Sequence, residues 1–168
     1  PFDVRGVVAL SYRNALGGWW QRLADHYPKR VDGIRVGRAL RKLHVLQAAA
    51  GVAGIPDDGT PIATLVFHSA TGSEHEIEIV YGRDLRDWSV GEKSSGFYPV
   101  PSERRSISER SQVVWEGSNP ICKRTGAKVR LYLTTYENPR PDVEITQIDY
   151  VSKMTTAMPF IVAMTVEP

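Results

Sequence analysis

Residues 128–152 read KVRLYLTTYENPRPDVEITQIDYVS, and this stretch decides the fold. In its first part Val129, Leu131 and Leu133 alternate with more polar residues, a period of two that is typical of a β-strand with one buried face. Residues 137–142 end the alternation, because Asn and Asp favour turns and proline cannot donate to a central ladder. The alternation then restarts and shifts phase near Thr146 and Gln147, which predicts a β-bulge. The stretch predicts an antiparallel hairpin with a stiff, polar turn whose first strand buries the Val129–Leu131–Leu133 face.

The composition is that of an ordinary globular protein, with 168 residues, 42% hydrophobic and 24% charged residues and a formal net charge of +2. This length predicts a single domain over residues 1–168. No basic run exceeds two residues, so we expect no nucleic-acid partner, and no apolar run is long enough for membrane insertion. Cys122 is the only cysteine, which excludes an intramolecular disulfide. Because the chain begins at Pro1 and enters a strand-like run almost at once, we expect it to be a piece excised from a larger protein.

Further short apolar or alternating runs are separated by turn-forming residues at intervals typical of a β-sandwich. These predicted strands cover residues 2–10, interrupted at Gly6, and residues 34–36, 40–48, 62–69, 74–81, 112–115 and 160–166. Residues 117–126 are predicted to form a loop. Trp20, Leu23 and Tyr27 have helical spacing and predict a short helix before Pro28. The pattern predicts an all-β protein, an antiparallel β-sandwich with at most one short helix.

The order of the strands also predicts which loops meet. If consecutive strands run antiparallel, the connections 51–61, 82–111 and 137–142 fall at the same end of the sandwich. This places one set of aromatic, acidic, amide and basic side chains near a single rim: Arg86, Asp87, Trp88, Phe97, Tyr98, Tyr136, Asn138 and Arg140. We interpret these eight residues, the predicted rim, as a candidate carbohydrate-binding site.

The chemistry of the predicted rim suits a sugar. Aromatic faces pack against the apolar C–H side of a pyranose, while Asp, Asn and Arg form directed hydrogen bonds with its hydroxyls. A structural role is the alternative for the same residues. Arg86 or Arg140 can pair with a nearby aspartate to hold a turn, and Trp88 can cap the core.

The sequence gives no strong metal signal, and we expect no cofactor and no catalytic residue. His68 and His75 come close across the 62–81 hairpin, but two imidazoles without a third ligand do not make a metal site. His44 lies in an apolar run and is interpreted as a hydrogen-bonded core histidine. A structural calcium ion is a weaker alternative, because Asp57, Asp58 and the 137–142 turn could supply oxygen ligands, although no calcium-loop spacing occurs.

Several longer segments resemble a known group of proteins. HSATGSEHEIEIVYGRDLRDW (68–88), VVWEGSNP (113–120) and LYLTTYENPRPDVEITQIDYVS (131–152) are similar to bacterial galactose-binding-like jelly-roll accessory modules. FDVRGVVAL (2–10) and GIRVGRALRKLHVLQAA (33–49) share the resemblance, which therefore covers most of the chain. It implies a jelly-roll β-sandwich, and it suggests glycan binding by loops on one rim and a location outside the cell or in the cell envelope of a bacterium.

These observations predict a non-catalytic carbohydrate-binding module that targets the tethered domains of its parent protein to a polysaccharide or oligosaccharide. The alternative is a structural or protein-docking domain of a larger envelope protein. An enzyme is not expected, because the chain lacks G-x-S-x-G, and acidic residues in turns, such as Asp84 and Glu137, are too common to indicate a carboxylate pair.

Overall fold

The computed structural model describes residues 6–14, 22, 24–51, 54–90 and 110–168. These residues are mostly β-strand, and a short helix, α1 (Pro120–Thr125), precedes β8. The strands are β1 (Val8–Ala9), β2 (Arg30–Ala39), β3 (Lys42–Ala50), β4 (Pro61–Ser69), β5 (Glu74–Val80), β6 (Ser89–Val90), β7 (Ser111–Gly117), β8 (Lys128–Glu137), β9 (Glu144–Ser152) and β10 (Met158–Glu167).

The strands form two antiparallel sheets that pack face to face. One sheet has six strands in the order β1-β10-β3-β8-β6, with β7 also paired to β8, and the other has four in the order β2-β9-β4-β5. One continuous core lies between them, with fully buried side chains from both sheets, among them Leu43, Val45, Tyr132, Tyr136, Leu65, Phe67, Ile148 and Tyr150. The predicted all-β sandwich is confirmed.

The predicted hairpin over residues 128–152 is wrong in its pairing. β8 belongs to the six-stranded sheet, where it pairs with β3, β6 and β7, and β9 belongs to the four-stranded sheet, where it pairs with β2 and β4. The turn between them therefore crosses from one sheet to the other. Each strand buries one face. Two strands from different sheets that bury these faces against each other show the same sequence alternation as the two strands of a hairpin.

In β8 the face that is buried is the opposite of the predicted one, whereas in β9 the predicted face is buried. Tyr132, Thr134 and Tyr136 face the core with no exposed surface, while Leu131 and Leu133 lie half-buried on the outer face. In β9 the predicted bulge is confirmed, because His68 pairs with Gln147 and Ser69 pairs with Ile145, so that one residue, Thr146, is extra. The buried face of β8 was wrongly predicted because the outer face of this strand also carries apolar side chains.

One turn lies at the opposite end of the sandwich from the end that the sequence predicts. We call the end with the β4–β5 turn, residues 70–73, end A, and the end with residues 51–60 and 81–88 end B. The 138–143 turn lies at end A, where Ala70 N–H donates to the carbonyl of Glu144 at 2.9 Å and Arg140 Nη1 donates to Ser73 Oγ at 3.0 Å. The prediction had placed this turn beside residues 82–111.

The error comes from the connection between β5 and β7. It leaves β5 at end B, yet β7 begins with Ser111 opposite Thr134, near the end of β8, and finishes with Gly117 opposite Val129, near its beginning. The end of β5 and the beginning of β7 therefore lie near opposite ends of the sandwich, and the two strands run in the same direction. Counting alternate ends assumes that every connection stays at one end, and this one does not.

The local predictions were more accurate. The hairpin of β4 and β5 is confirmed, with Leu65 opposite Ile77 and Phe67 opposite His75. Arg22, Ala24 and Asp25 are helical, as expected before Pro28, while Trp20 and Leu23 lie outside the described residues. The loop expected over residues 117–126 contains α1, whose N-terminus is capped by the side chain of Asn119, with Pro120 in its first turn.

Candidate functional site

The structure divides the predicted rim between the two ends. Arg86, Asp87 and Trp88 lie at end B, whereas Asn138 and Arg140 lie at end A. The main chain of Trp88 bonds to Arg130 and that of Asn138 follows Glu137, so the two groups are separated by most of β8, about 23 Å at 3.3 Å per residue. Phe97 and Tyr98 lie outside the described residues. The described residues of the predicted rim therefore lie in two separate groups.

The charged residues at end B hold the loops together. Arg86 is 5% exposed and donates from Nη1 and Nη2 to the two carboxylate oxygens of Asp58, at 2.9 and 2.8 Å. Its guanidinium also lies 6.0 Å from the centroid of the Tyr81 ring. Such a bidentate pair fixes residues 54–60 against residues 81–88. With its outer nitrogens engaged by Asp58, Arg86 is a scaffold residue.

Asp87 is also a scaffold residue. Its carboxylate accepts from the main-chain N–H of Gly51 at 2.6 Å and of Ser89 at 2.9 Å. Burial raises the pKa of Asp87 to about 6, against the opposing effects of these two hydrogen bonds and of the positive charge of Arg130. A Cβ atom at Gly51 would lie 2.8 Å from Asp87 Oδ2, so only glycine allows this close approach. The carboxylate fixes the main chain after β3 and directly after Trp88.

The end A residues close a turn. Asn138 Nδ2 donates to the carbonyls of Leu40 and Arg140, at 2.9 and 3.0 Å, and its Oδ1 accepts from Arg140 N–H at 3.1 Å. Tyr136 has no exposed surface, and its hydroxyl accepts from Gln47 Nε2 at 2.8 Å inside the core. Of the described residues in the predicted rim, Trp88 and Arg140 alone keep side-chain surface that is not buried in these scaffolds.

Trp88 borders a hollow on the outer face of the six-stranded sheet at end B. The hollow has a volume of about 620 Å³, and most of its surface is apolar. Its floor includes the small side chain of Ala50 at the end of β3, which pairs with Met158 of β10 on one side and lies next to Trp88 on the other. The residues that line this outer hollow are Val7, Ala9, Tyr27, Ala50, Trp88, Trp115, Ser118, Asn119, Val129, Arg130, Leu131, Met158, Phe160 and Val162.

Two tryptophans give the outer hollow its aromatic surface. Trp88 packs edge-to-face against Phe160, with ring centroids 6.4 Å apart and an interplanar angle of 81°. Its main chain is fixed by hydrogen bonds to Ala49 and Arg130, both 2.8 Å long. Trp115 is different, because 49% of it is exposed although it belongs to a β-strand. One ring is thus part of the scaffold and the other is free for contact.

Gly117 has no side chain and therefore leaves room for the Trp115 ring. A Cβ atom at Gly117 would overlap Cη2 and Cζ2 of Trp115, which shows that the indole lies over this glycine. Trp115 pairs with Leu131 and Gly117 with Val129, so both share the face of the hollow. The strand therefore supports one side of the indole and leaves the other side open.

The polar border of the hollow comes from the beginning of α1. Asn119 Oδ1 accepts from Cys122 N–H at 2.8 Å, which fixes the orientation of the side-chain amide. Its Nδ2 has no hydrogen-bond partner among the described residues, so two N–H groups remain for a ligand. The neighbouring Ser118 is exposed, and its hydroxyl makes only a 3.5 Å contact with the carbonyl of Asn119. Arg130 contributes less, because its guanidinium lies 5.1 Å from the Tyr132 ring, toward the core.

Sequence reasoning missed Trp115 and Asn119. Both belong to VVWEGSNP, where Trp115 and Gly117 are two residues apart on one strand face, a spacing that lets an aromatic ring lie over a glycine. Asn119 followed by Pro120 is a helix-start signal. Reading residues 117–126 as a loop concealed both features.

The histidines lie elsewhere. His68 faces out from the four-stranded sheet between two carboxylates, Asp149 at 2.9 Å and Glu74 at 3.1 Å, and His44 contacts Thr135 at 2.9 Å and Glu167 at 3.3 Å. His44 is thus hydrogen-bonded, as expected, but partly exposed on the outer face of its sheet. Within the described ranges no group of three or more His, Cys, Asp or Glu side chains is placed to hold a metal ion.

Comparison of the chain with models of protein families, with curated proteins and with solved structures finds no significant match. In the part of the chain that the structure describes, the helices are too short or too polar to cross a membrane.

Proposed function

We propose that this sandwich is a galactose-binding-like jelly roll that works as a non-catalytic carbohydrate-binding module, and that the sugar binds in the outer hollow rather than at the predicted rim. The observation that carries the proposal is the half-exposed indole of Trp115, supported from below by Gly117 and bordered by Trp88. A large, rigid aromatic ring costs free energy when it is left in water, and a strand position that keeps it there indicates a contact surface.

The geometry suits the apolar face of a sugar ring. A pyranose that stacks on the open side of the Trp115 indole would present its hydroxyls toward Ser118 and the free amide of Asn119. The hollow lies on a hydrogen-bonded β-sheet, so the aromatic surface exists before the ligand arrives and little conformational entropy is lost on binding. A module of this kind would concentrate the tethered domains of a parent protein on polysaccharide in the bacterial envelope or outside the cell.

Retention on a panel of insoluble and soluble polysaccharides tests the proposal, by pull-down and affinity electrophoresis. Wild type should be retained on at least one glycan, and Trp115→Ala should lose retention at an unchanged melting temperature, because the ring is half-exposed. Gly117→Ala should have the same effect by displacing the indole, since Gly117 does not need a positive φ. Val114→Ala is the matched control, an exposed apolar residue of the same strand outside the hollow.

A second variant separates the outer hollow from the predicted rim. Arg140 is the exposed rim residue at end A, and it contacts Ser73 rather than the hollow. Arg140→Ala should leave retention unchanged. Loss of retention in Arg140→Ala, with full retention in Trp115→Ala, would return the site to the rim.

The apolar lining favours a second candidate, docking of an apolar protein segment in the same hollow. Aliphatic side chains such as Val129, Leu131 and Val162 form much of its surface, and sugars seldom need so many. Docking predicts no retention on any glycan, together with protection of the hollow by a partner in cross-linking. The two candidates therefore give opposite results on the polysaccharide panel.

A further inference from the structure

The outer hollow has few groups that could pair with hydroxyls. Its polar side chains lie on one side, at Ser118 and Asn119, whereas its floor is made of residues such as Ala50, Leu131 and Val162. A hexose unit whose C2 carries a hydroxyl rather than an acetamido group would place that hydroxyl against this floor without a partner. A hydroxyl that is buried without a hydrogen bond costs free energy, so a fully hydroxylated sugar fits the floor poorly.

We propose that the saccharide bound here is N-acetylated, a polymer of N-acetylhexosamine units. This inference rests on the proposed function, and it names the substrate class of the same site. An acetamido group combines an apolar methyl with a carbonyl acceptor, and the hollow offers a partner for each, an apolar floor and the N–H groups of Asn119. The methyl packs on the apolar floor, which is favourable for any CH₃ group removed from water.

Asn119 supplies the donor for the acetamido carbonyl. Because its Oδ1 accepts from Cys122 N–H at 2.8 Å, the amide cannot rotate without breaking the cap of α1, and Nδ2 stays at the border of the hollow. Asn119 thus presents two N–H groups and no free acceptor of similar strength. The hydroxyl of Ser118, which precedes Asn119 in the chain, can pair with a sugar hydroxyl next to the acetamido group.

Two β-1,4-linked tetrasaccharides test this inference, chitotetraose and cellotetraose, which differ only in the acetamido or hydroxyl group at C2. Isothermal titration calorimetry of the whole chain should give at least about tenfold tighter binding of chitotetraose, the discrimination expected for a small apolar group in a matching pocket. Trp115→Ala should lose both ligands, because the indole stacks on the ring itself.

Asn119→Asp tests the role of the donor. Aspartate is an equally good N-cap, so α1 and the melting temperature should be preserved, while the two N–H groups are replaced by a carboxylate oxygen. The preference for chitotetraose should fall by about tenfold in this variant, with the binding of cellotetraose changed much less.

The possible failures are distinguishable. Equal or tighter binding of cellotetraose, or an unchanged preference in Asn119→Asp, would overturn the N-acetyl inference and leave carbohydrate binding intact. Retention on another glycan without binding of either tetrasaccharide would do the same. Absence of binding to every glycan of the panel would overturn both the inference and the proposed function.

Discussion

The two outer faces of the sandwich differ sharply in their chemistry. On the four-stranded sheet, Arg30 pairs with Asp32 at 2.6 Å and with Asp149 at 3.0 Å, and His68 lies between Asp149 and Glu74. On the six-stranded sheet at end B, the outer face carries the hollow with its exposed Trp115. The first face is a solvated face whose charges satisfy one another. The second face exposes apolar area that its own charges do not cover, which is why we place the binding site there.

The carboxylates of the two regions show the same difference. Asp149, on the polar outer face, accepts from Gly33 N–H at 2.8 Å, and Asp87, beneath the outer hollow, accepts from two main-chain N–H groups as well. For Asp149, burial would raise the pKa, but the hydrogen bonds from Gly33 and His68 and the charges of His68 and Arg30 hold it below its usual range. For Asp87, burial prevails. The effect of burial is decisive at Asp87, whereas at Asp149 the hydrogen bonds and the neighbouring cations outweigh it.

The largest expected effect is a loss of stability, and it tests whether the two outer faces differ in packing. Phe160→Ala removes a ring that is 9% exposed and packs against both the core and Trp88, so it should lower the free energy of unfolding by about 3 kcal/mol. Val66→Ala, on the outer face of the four-stranded sheet, removes a half-buried side chain and should cost about 1 kcal/mol. Urea unfolding measures both. Equal losses would show that the two faces do not differ in packing.

The next effect is a pH dependence from Asp87. Its pKa is raised in the folded protein from 3.8 to about 6, so the folded state keeps a proton that the unfolded state has released. Stability from this group should therefore fall as the pH rises from about 4 to about 6, by on the order of 2 kcal/mol, and stay constant above. Urea unfolding of wild type and Asp87→Asn across this range isolates the effect. A difference between them that does not change with pH would refute it.

Asp149 should show the opposite sign and a smaller effect. Its pKa is lowered from 3.8, so its contribution to stability is present above about pH 4 and is lost as the pH falls through the folded-state value. Asp149→Asn should cost about 1 kcal/mol at pH 7, because the neutral amide weakens the contacts with His68 and Arg30. The cost should shrink in acid, which urea unfolding at pH 3 and pH 7 would reveal.

The smallest effect is expected on the solvated face. Glu76 is exposed on edge strand β5, and Glu76→Lys should change the free energy of unfolding by less than about 0.5 kcal/mol. Retention on a glycan should not change either, because the residue lies on the other sheet from the outer hollow. A loss of retention in this variant would move the binding surface to the four-stranded sheet.

The sequence correctly predicted the features that depend on residues close together in the chain. The β4–β5 hairpin follows from two alternating runs and a Gly-containing turn, and the bulge at Thr146 follows from a one-residue phase shift. The helix α1 was also within reach, since Asn119, Pro120 and Gly126 are its start and stop signals. The position of Gly117 two residues after Trp115 could have indicated that the indole lies over the glycine. The exposure of Trp115 could not be predicted, because it depends on which strands cover this face of the sheet.

By itself the sequence determined the class of fold, because a period of two with turn residues at short intervals can bury its apolar faces only in packed sheets. It did not determine that residues 128–152 span two sheets, or that the β5–β7 connection runs from end B toward end A. A hairpin and a crossing between sheets leave the same alternation in the chain, since alternation reports which residues are buried and not what buries them. The tertiary structure alone decided the partners of each strand. It thereby separated Arg86 from Asn138 and brought Trp88, Trp115 and Asn119 around one hollow.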